Sequence, residues 1–315
     1  MSRSQPLNHS ARRARLIPLA TTLSAFTFLL LAGAVPSLAG TLDAVQKSGT
    51  LVLGYRLDAR PFSYRDAQGN AAGYSVALCR KVADDLKAEL KRDALNIEFV
   101  AVSSEDRFSA LQQGKIHVLC DPATETLARR STVSFSIPVF ASGTGALVRR
   151  DAPARLKEVL SGVRVSGPTW RASAYQTLEK RTFAVVAGTT GERWTTQRRD
   201  ELGLNAEVVP VKDYATGLQR LTERQADALF GDRAILLDAA KRSPSPGSLT
   251  LLERYFTRET VALGLPRGDE DFRLFVDRSL SRLFRSKDIG PLYEAHFGKP
   301  DKSALTFFEL IALPE

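Results

Sequence analysis

Thr124, Thr126, Arg129 and Arg130 gather two hydroxyls and two cations within seven residues. They sit in the stretch Gln112 to Phe140. Ahead of them the apolar run Ile116 to Leu119 predicts a strand, and Cys120-Asp121-Pro122 predicts a turn. Beyond them the alternating run Val133 to Pro138 leads away. A strand that ends in a loop, followed by a helix with arginine in its first turns, can converge backbone N–H groups, hydroxyls and a guanidinium. That is chemistry for holding a carboxylate. Taken alone, the pattern is also that of an ordinary strand, turn and solvated helix. Other chemistries are poorly served. No Ser/His/Asp arrangement, metal-spaced cluster or phosphate-cradling glycine loop is visible, so no cofactor is expected. Past residue 39 the histidines are His117, in a predicted strand, and His296, in a predicted terminal helix. Glu192, just after the Thr189-Thr190 junction, is the one acid to watch for acid–base chemistry, although a glutamate at a helix start is usually a dipole or capping residue.

The elements that would position these groups alternate. Thr41 to Gly49 predicts a short helix and Leu51 to Tyr55 a strand, with Arg56 at its end. Gly73 opens a helix whose Val76, Cys79, Val82, Ala83, Leu86 and Leu90 share one face. Ile97 to Val102 predicts a strand, and Ser103-Ser104 a cap for the helix carrying Arg107. Later strands are predicted at Ala146 to Val148, Phe183 to Val186, Glu207 to Val211, Ala226 to Phe230 and Thr260 to Pro266. Gly188-Thr189-Thr190-Gly191 is a second strand-to-helix junction bearing hydroxyls, and Asp213 caps another helix. Asp269 to Arg285 and Ile289 to Phe297 predict the closing helices. Residues 151–180, with Pro153, Pro168 and Trp170, give no clear element. This rhythm implies a mainly parallel sheet with ligands at the carboxyl ends of its strands. One αβ unit runs to about residue 141 and a second to about 258. The closing elements return to the first, so two chain crossings make a hinge beside a cleft.

Composition sets the class. The 315 residues are 43% apolar and 25% charged, as in ordinary soluble proteins. Arg12, Arg13 and Arg15 precede an uncharged apolar stretch from Leu16 to Ala34, and Ser37-Leu38-Ala39 follows. This predicts a secretory signal over 1–39, cleaved after Ala39; an uncleaved anchor is the alternative. Its removal takes four arginines and no acids, lowering the net charge from +9 to +5. That balance suits small anionic ligands, and without a dense basic block nucleic-acid binding is not expected. Cys79 and Cys120 in an exported chain make one disulfide most simply, with two buried thiols as the alternative.

Several motifs in order carry a resemblance over residues 41–300: SGTLVLGYR, PFSY, GYSVALC, VSSEDRFSALQQGKIHVLC and TLARRSTVSFS, then VVAGTTGE, VKDYATGLQRL, ALFGDRAIL and IGPLYEAHFG. Together they resemble the periplasmic amino-acid-binding proteins of ABC transporters (extracellular solute-binding family 3), closest to the glutamate/aspartate-binding type. The resemblance implies an α/β fold of the two-lobed periplasmic binding protein type (type II), two αβ lobes joined by a two-stranded hinge. It divides the chain into signal peptide 1–39, lobe 1 at 41–141 and 259–300, lobe 2 at 142–258 and a C-terminal tail 301–315. It implies a monomeric periplasmic protein that passes an amino acid to a membrane permease. By position, Arg129 would pair with the ligand α-carboxylate, helped by Thr124, and Asp232 would accept from the α-ammonium. Gly188, Thr189 and Thr190 would add hydrogen bonds from the second lobe. Arg56 and Arg107 match positions that hold an acidic side chain, and Phe62 would supply an apolar wall. The family's cysteines favour the Cys79–Cys120 bridge, which would tie the helix after Gly73 to the strand at the binding loop.

Three departures bear on the ligand. Asp121-Pro122 replaces a small Gly-Ser step, which removes a donor and adds a negative charge. Tyr214 stands where the glutamate/aspartate type has histidine. The stretch 151–180 is longer than usual. The side-chain preference is expected to be acidic or polar. Two alternatives share the fold: an exported cyclohexadienyl or arogenate dehydratase, and a sensor that reports its ligand to a membrane receptor or kinase.

Overall fold

The computed structural model describes residues 40–92, 94–162 and 171–314. The predicted signal segment 1–39, and Pro168 and Trp170, lie outside them. Beside a small three-stranded sheet of Asp58–Ala59, Ser63–Arg65 and Ala71–Ala72, ten strands among the described residues build two large sheets. In chain order they are β1 (Thr50–Arg56), β2 (Asn96–Val102), β3 (Val118–Thr124), β4 (Ser134–Ser142), β5 (Thr144–Arg149), β6 (Thr182–Val186), β7 (Glu207–Val211), β8 (Ala228–Asp232), β9 (Leu249–Leu251) and β10 (Glu259–Leu265). The first sheet has the order β2-β1-β3-β10-β4 and the second β7-β6-β8-β5-β9. Strands β2, β1 and β3 are parallel, and β10 runs antiparallel between β3 and β4. In the second sheet β7, β6 and β8 are parallel, and β5 runs antiparallel to β8 and β9. Each lobe therefore presents the carboxyl ends of three parallel strands to one rim, the edge where open α/β sheets hold ligands.

Two crossings join the lobes. Between β4 and β5 the link is Gly143 alone, and between β9 and β10 it is residues 252–258. A Cβ on Gly143 would stand 2.1 Å from the Thr257 carbonyl oxygen, so only glycine lets the two crossings touch. Thr144 N–H donates to Thr257 Oγ1 at 2.9 Å, fastening one crossing to the other.

The helix Tyr74–Glu89 buries Val76, Cys79, Val82, Ala83 and Leu86 of the face its 3.6-residue spacing predicts, and Leu78 besides; Leu90 is the C-terminal cap and only half-buried. Cys79 is bonded to Cys120 of β3, with 6.1 Å between their Cα atoms. The helix Glu270–Arg285 begins at Asp269, whose side chain accepts from Phe272 N–H. After Ile289–Phe297 the chain forms a further helix, Lys302–Ile311, in the span read as a tail. Its buried Phe308 lies against Phe284 and Tyr293, with ring centroids 5.1 and 5.9 Å away.

Two local expectations are corrected. Cys120-Asp121-Pro122 is not a turn, because β3 runs through it to Thr124. The pairing of β10 slips between Ala262 and Gly264, opposite this segment. Such an irregularity admits Pro122, which has no N–H to give a ladder. Ser103-Ser104 does not cap the helix Arg107–Gln112, which starts from Asp106 without a side-chain cap. Ser103 instead donates to Asp106 Oδ1 at 2.7 Å, closing a turn of its own.

Candidate functional site

The two rims face each other across a small cavity of about 40 Å³. Arg56 ends β1, Thr124 ends β3 and Asp232 ends β8, and all three line it. So do Arg107, Asp121, Arg129, Thr189, Thr190, Tyr214 and Glu259. Of the residues expected at the site, Phe62 is displaced. It is fully buried in an aromatic cluster, 5.0 Å from Phe140 and 5.2 Å from Phe297 between ring centroids. The apolar part of the cavity wall is Ala59, Pro122 and Ile235 instead. Gly188 contributes its carbonyl and not a wall, at a φ of +72°. A Cβ there would meet the Ser104 carbonyl oxygen at 2.7 Å, so the close approach of the lobes requires glycine.

Arg129 sits in the short helix Leu127–Arg130, whose first turn is capped by Thr126 Oγ1 accepting from Arg129 N–H. Its guanidinium donates to the Thr124 carbonyl at 2.8 Å and across the cleft to the Gly188 carbonyl at 3.3 Å. The Phe108 ring lies 4.8 Å beneath it. Burial, and then Arg107, push its pKa down to about 9, which leaves it charged at neutral pH but short of a counter-ion. Arg107 is also held below its usual value, by burial first, although Asp121 Oδ2 lies 3.1 Å from its Nε. Arg56 is buried too, yet Asp121 and Asp58 outweigh that cost and its pKa is raised. Asp58 receives Arg56 Nη2 at 2.6 Å.

On the second lobe Asp232 caps the helix Arg233–Arg242, accepting from Ala234 and Ile235 N–H at 2.9 and 3.2 Å. Burial raises its pKa to about 6, against the pull of Ser142 and those two amides, with Glu259 adding to the rise. Tyr214 Oη accepts from Asp232 N–H at 3.3 Å, and burial holds the phenol well above its normal range. Tyr214 N–H donates to Asp58 across the cleft at 3.3 Å. Thr189 caps the helix Thr190–Glu201 by accepting from Glu192 N–H, and Glu192 Oε2 accepts from Gly188 N–H at 2.8 Å. Glu192 thus reaches back past the cap to the N–H of the residue before it, so its carboxylate is spent on the helix start. His117 Nδ1 accepts from Val52 N–H at 3.1 Å, and burial lowers its pKa. His296 lies against the Tyr74 ring, away from the cavity lining. Among the described residues no cluster could hold a metal ion.

Sequence reasoning missed Glu259. The first residue of β10, it lies beside Thr124 because β10 runs antiparallel to β3. Its Oε2 accepts from Thr124 Oγ1 at 2.7 Å and from Thr190 Oγ1 at 2.8 Å, one hydroxyl from each rim. Thr257 Oγ1 donates to its Oε1 at 2.5 Å. A hydroxyl has one proton. With both protons given to Glu259, Thr124 and Thr190 turn lone pairs to the cavity. The only signal in sequence is a charged residue at the start of an otherwise apolar strand, which is common. Asp58 was likewise unread; it sits two residues from the arginine it neutralises.

Two lobes, a hinge of paired crossings and a cleft lined by fixed charges of both signs define a two-lobed solute-binding protein. Residues 51–299 match the family described as bacterial extracellular solute-binding proteins, family 3, and the chain belongs to it. It is 23% identical over 267 residues to the glutamate/aspartate import solute-binding protein of Escherichia coli (strain K12), covering 85% of this chain and 82% of that one. To the L-glutamate/L-aspartate-binding protein of Pseudomonas aeruginosa it is 26% identical over 264 residues, covering 84% and 82%. Among solved structures it is similar to an ancestral amino acid-binding protein, AncCDT-1, described as a precursor of cyclohexadienyl dehydratase. There the TM-score is 0.66 at 25% identity, covering 82% of this chain and 99% of that one. The cysteine-binding protein of Campylobacter jejuni superposes with a TM-score of 0.68 at 21% identity, covering 84% and 96%.

Proposed function

We propose that this protein captures an α-amino acid in its cleft outside the cytoplasm and delivers it to the permease of an ABC transporter. The observation that carries this reading is the opposition of Arg129 on one rim and Asp232 on the other, in one cavity. A zwitterion offers each its counter-charge. Arg129 takes the α-carboxylate, for which its depressed pKa leaves it wanting an anion. Asp232 takes the α-ammonium, a cation that favours its ionised form. Thr124 and Thr190, whose protons go to Glu259, accept from that ammonium; the expected donation from Thr124 to the carboxylate would need Glu259 to release it. Arg56, Arg107 and Tyr214 face the ligand side chain. Those two arginines and the names of the relatives support the acidic preference expected from sequence. Asp58 and Asp121, already beside the arginines, oppose it.

A thermal-shift screen of the standard amino acids tests the reading, because a ligand that binds only the folded chain raises its melting temperature. At least one amino acid should raise it. No shift with any of them would reject amino-acid capture. The likeness to a dehydratase precursor and the pKa of about 6 at Asp232 favour a second reading, an enzyme in the same cleft. Incubation with prephenate or arogenate should give no turnover.

A further inference from the structure

The three hydroxyls that donate to Glu259 differ in what they belong to. Thr257, on Oε1, lies two residues away in the same crossing, and its Oγ1 is 3.0 Å from Thr144 Oγ1 at the start of β5, on the other crossing. Thr124, on Oε2, ends β3, which pairs with β10 through Thr124 and Val261. These bonds lie within the first sheet and the hinge. Thr190, also on Oε2, comes from elsewhere: it is the first residue of the helix Thr190–Glu201 in the second lobe. Its bond to Glu259 can form only when the two rims are together, whereas the other two need no contact between the rims.

From this asymmetry, and resting on the cleft being an amino-acid site, we infer that Glu259 is a positioning residue that sets affinity by latching the lobes shut through Thr190, without touching the ligand. Thr124 and Thr257 fix the carboxylate in place before the rims meet, so little side-chain freedom is lost when Thr190 arrives. The acceptor is charged, which makes its hydrogen bonds stronger than those between neutral groups. Two residues earlier on the same second-lobe junction, the Gly188 carbonyl accepts from Arg107 at 3.2 Å and from Arg129 at 3.3 Å. The junction is thus held by cations at its carbonyl and by an anion at its hydroxyl. A bond made only in the closed form does not help a ligand to enter an open cleft. It slows the reopening that lets the ligand leave, so its weight falls on the dissociation rate.

The test uses protein unfolded in guanidinium chloride, dialysed free of carried-over ligand and refolded. The standard L-amino acids are titrated into the wild type by calorimetry, and the tightest binder is carried to Glu259→Ala, Glu259→Gln, Thr190→Val and the double variant Glu259→Ala/Thr190→Val. Glu259→Ala should weaken binding by about tenfold or more, the scale of a hydrogen bond to a charged group. Stopped-flow fluorescence should place that loss in faster dissociation, with association within about threefold of the wild type. Glu259→Gln keeps an acceptor oxygen but not the charge, and should fall between the wild type and Glu259→Ala. In the Thr190→Val background Glu259→Ala should cost less than about threefold, because the latch bond is already gone. With saturating ligand, small-angle scattering should give Glu259→Ala a larger radius of gyration than the wild type. If Glu259→Ala does not fold, Glu259→Gln decides: weaker binding through faster dissociation supports the latch, and the wild-type dissociation constant overturns it. Losses that multiply in the double variant, a loss carried by slower association, or a saturated radius equal to that of the wild type would overturn the latch and leave amino-acid capture standing. Binding of none of the amino acids by the wild type would remove the proposed capture itself, and this role with it.

Discussion

With Asp232 as the proposed partner of the ligand ammonium, the site's pH dependence should follow its carboxyl group. Its folded pKa of about 6 lies above the ordinary carboxyl value, so between those values it holds a proton that an ammonium ligand must displace. Above pH 6 the carboxylate is already formed and affinity should be flat. Below it, affinity should fall about tenfold per pH unit until the ordinary carboxyl range is reached. Calorimetry from pH 5 to 8 checks this, and Asp232→Asn should abolish the slope along with most of the binding. At this scale the sequence was legible where a residue ends a strand. Arg56, Thr124, Arg129 and Asp232 are such residues or lie just beyond them, and all reach the cavity. It was not legible where a partner comes from far along the chain. Glu259 is 135 residues from Thr124, and no local pattern brings them together. Phe62 failed for the opposite reason: its neighbours Tyr74, Phe140 and Phe297 form an aromatic cluster whose burial outweighs a place on the cavity wall.

The elements explain how the site is held. The bridge from Cys79 to Cys120 anchors β3 to the helix behind it, one residue before Asp121. It closes a separation of 41 residues, for which chain entropy gives about 4 kcal/mol of stabilisation. Urea unfolding with and without reductant should differ by about that amount. A loss below about 1 kcal/mol would show that the reduced chain retains the same constraint. Gly143 is the tighter constraint on the hinge. Gly143→Ala places a methyl against the Thr257 carbonyl and should cost about 1–3 kcal/mol, as overpacking does, measured by the same unfolding. Most strands were legible from apolar runs between turn residues, and Ile289–Phe297 from its own pattern. The run of β3 through Pro122 was not, because the slip in β10 that tolerates the proline lies more than 130 residues away.

For the whole molecule, the two lobes share two crossings and a set of bonds across the cleft: Arg107 and Arg129 to the Gly188 carbonyl, Tyr214 N–H to Asp58, and Glu259 to both threonines. Closure of such a cleft on its ligand is a hinge motion. Small-angle scattering should therefore show a smaller radius of gyration with ligand than without, and an unchanged radius would mean that the lobes do not move. All these contacts matter for function only if the cleft grips a zwitterion by its two ends. The most direct test is the dissociation constant of Arg129→Ala for the amino acid that the wild type binds. Truncating one partner of a buried charge pair costs about 2–5 kcal/mol, so binding should weaken by about 30-fold or more. A folded Arg129→Ala protein with the wild-type dissociation constant would contradict the account.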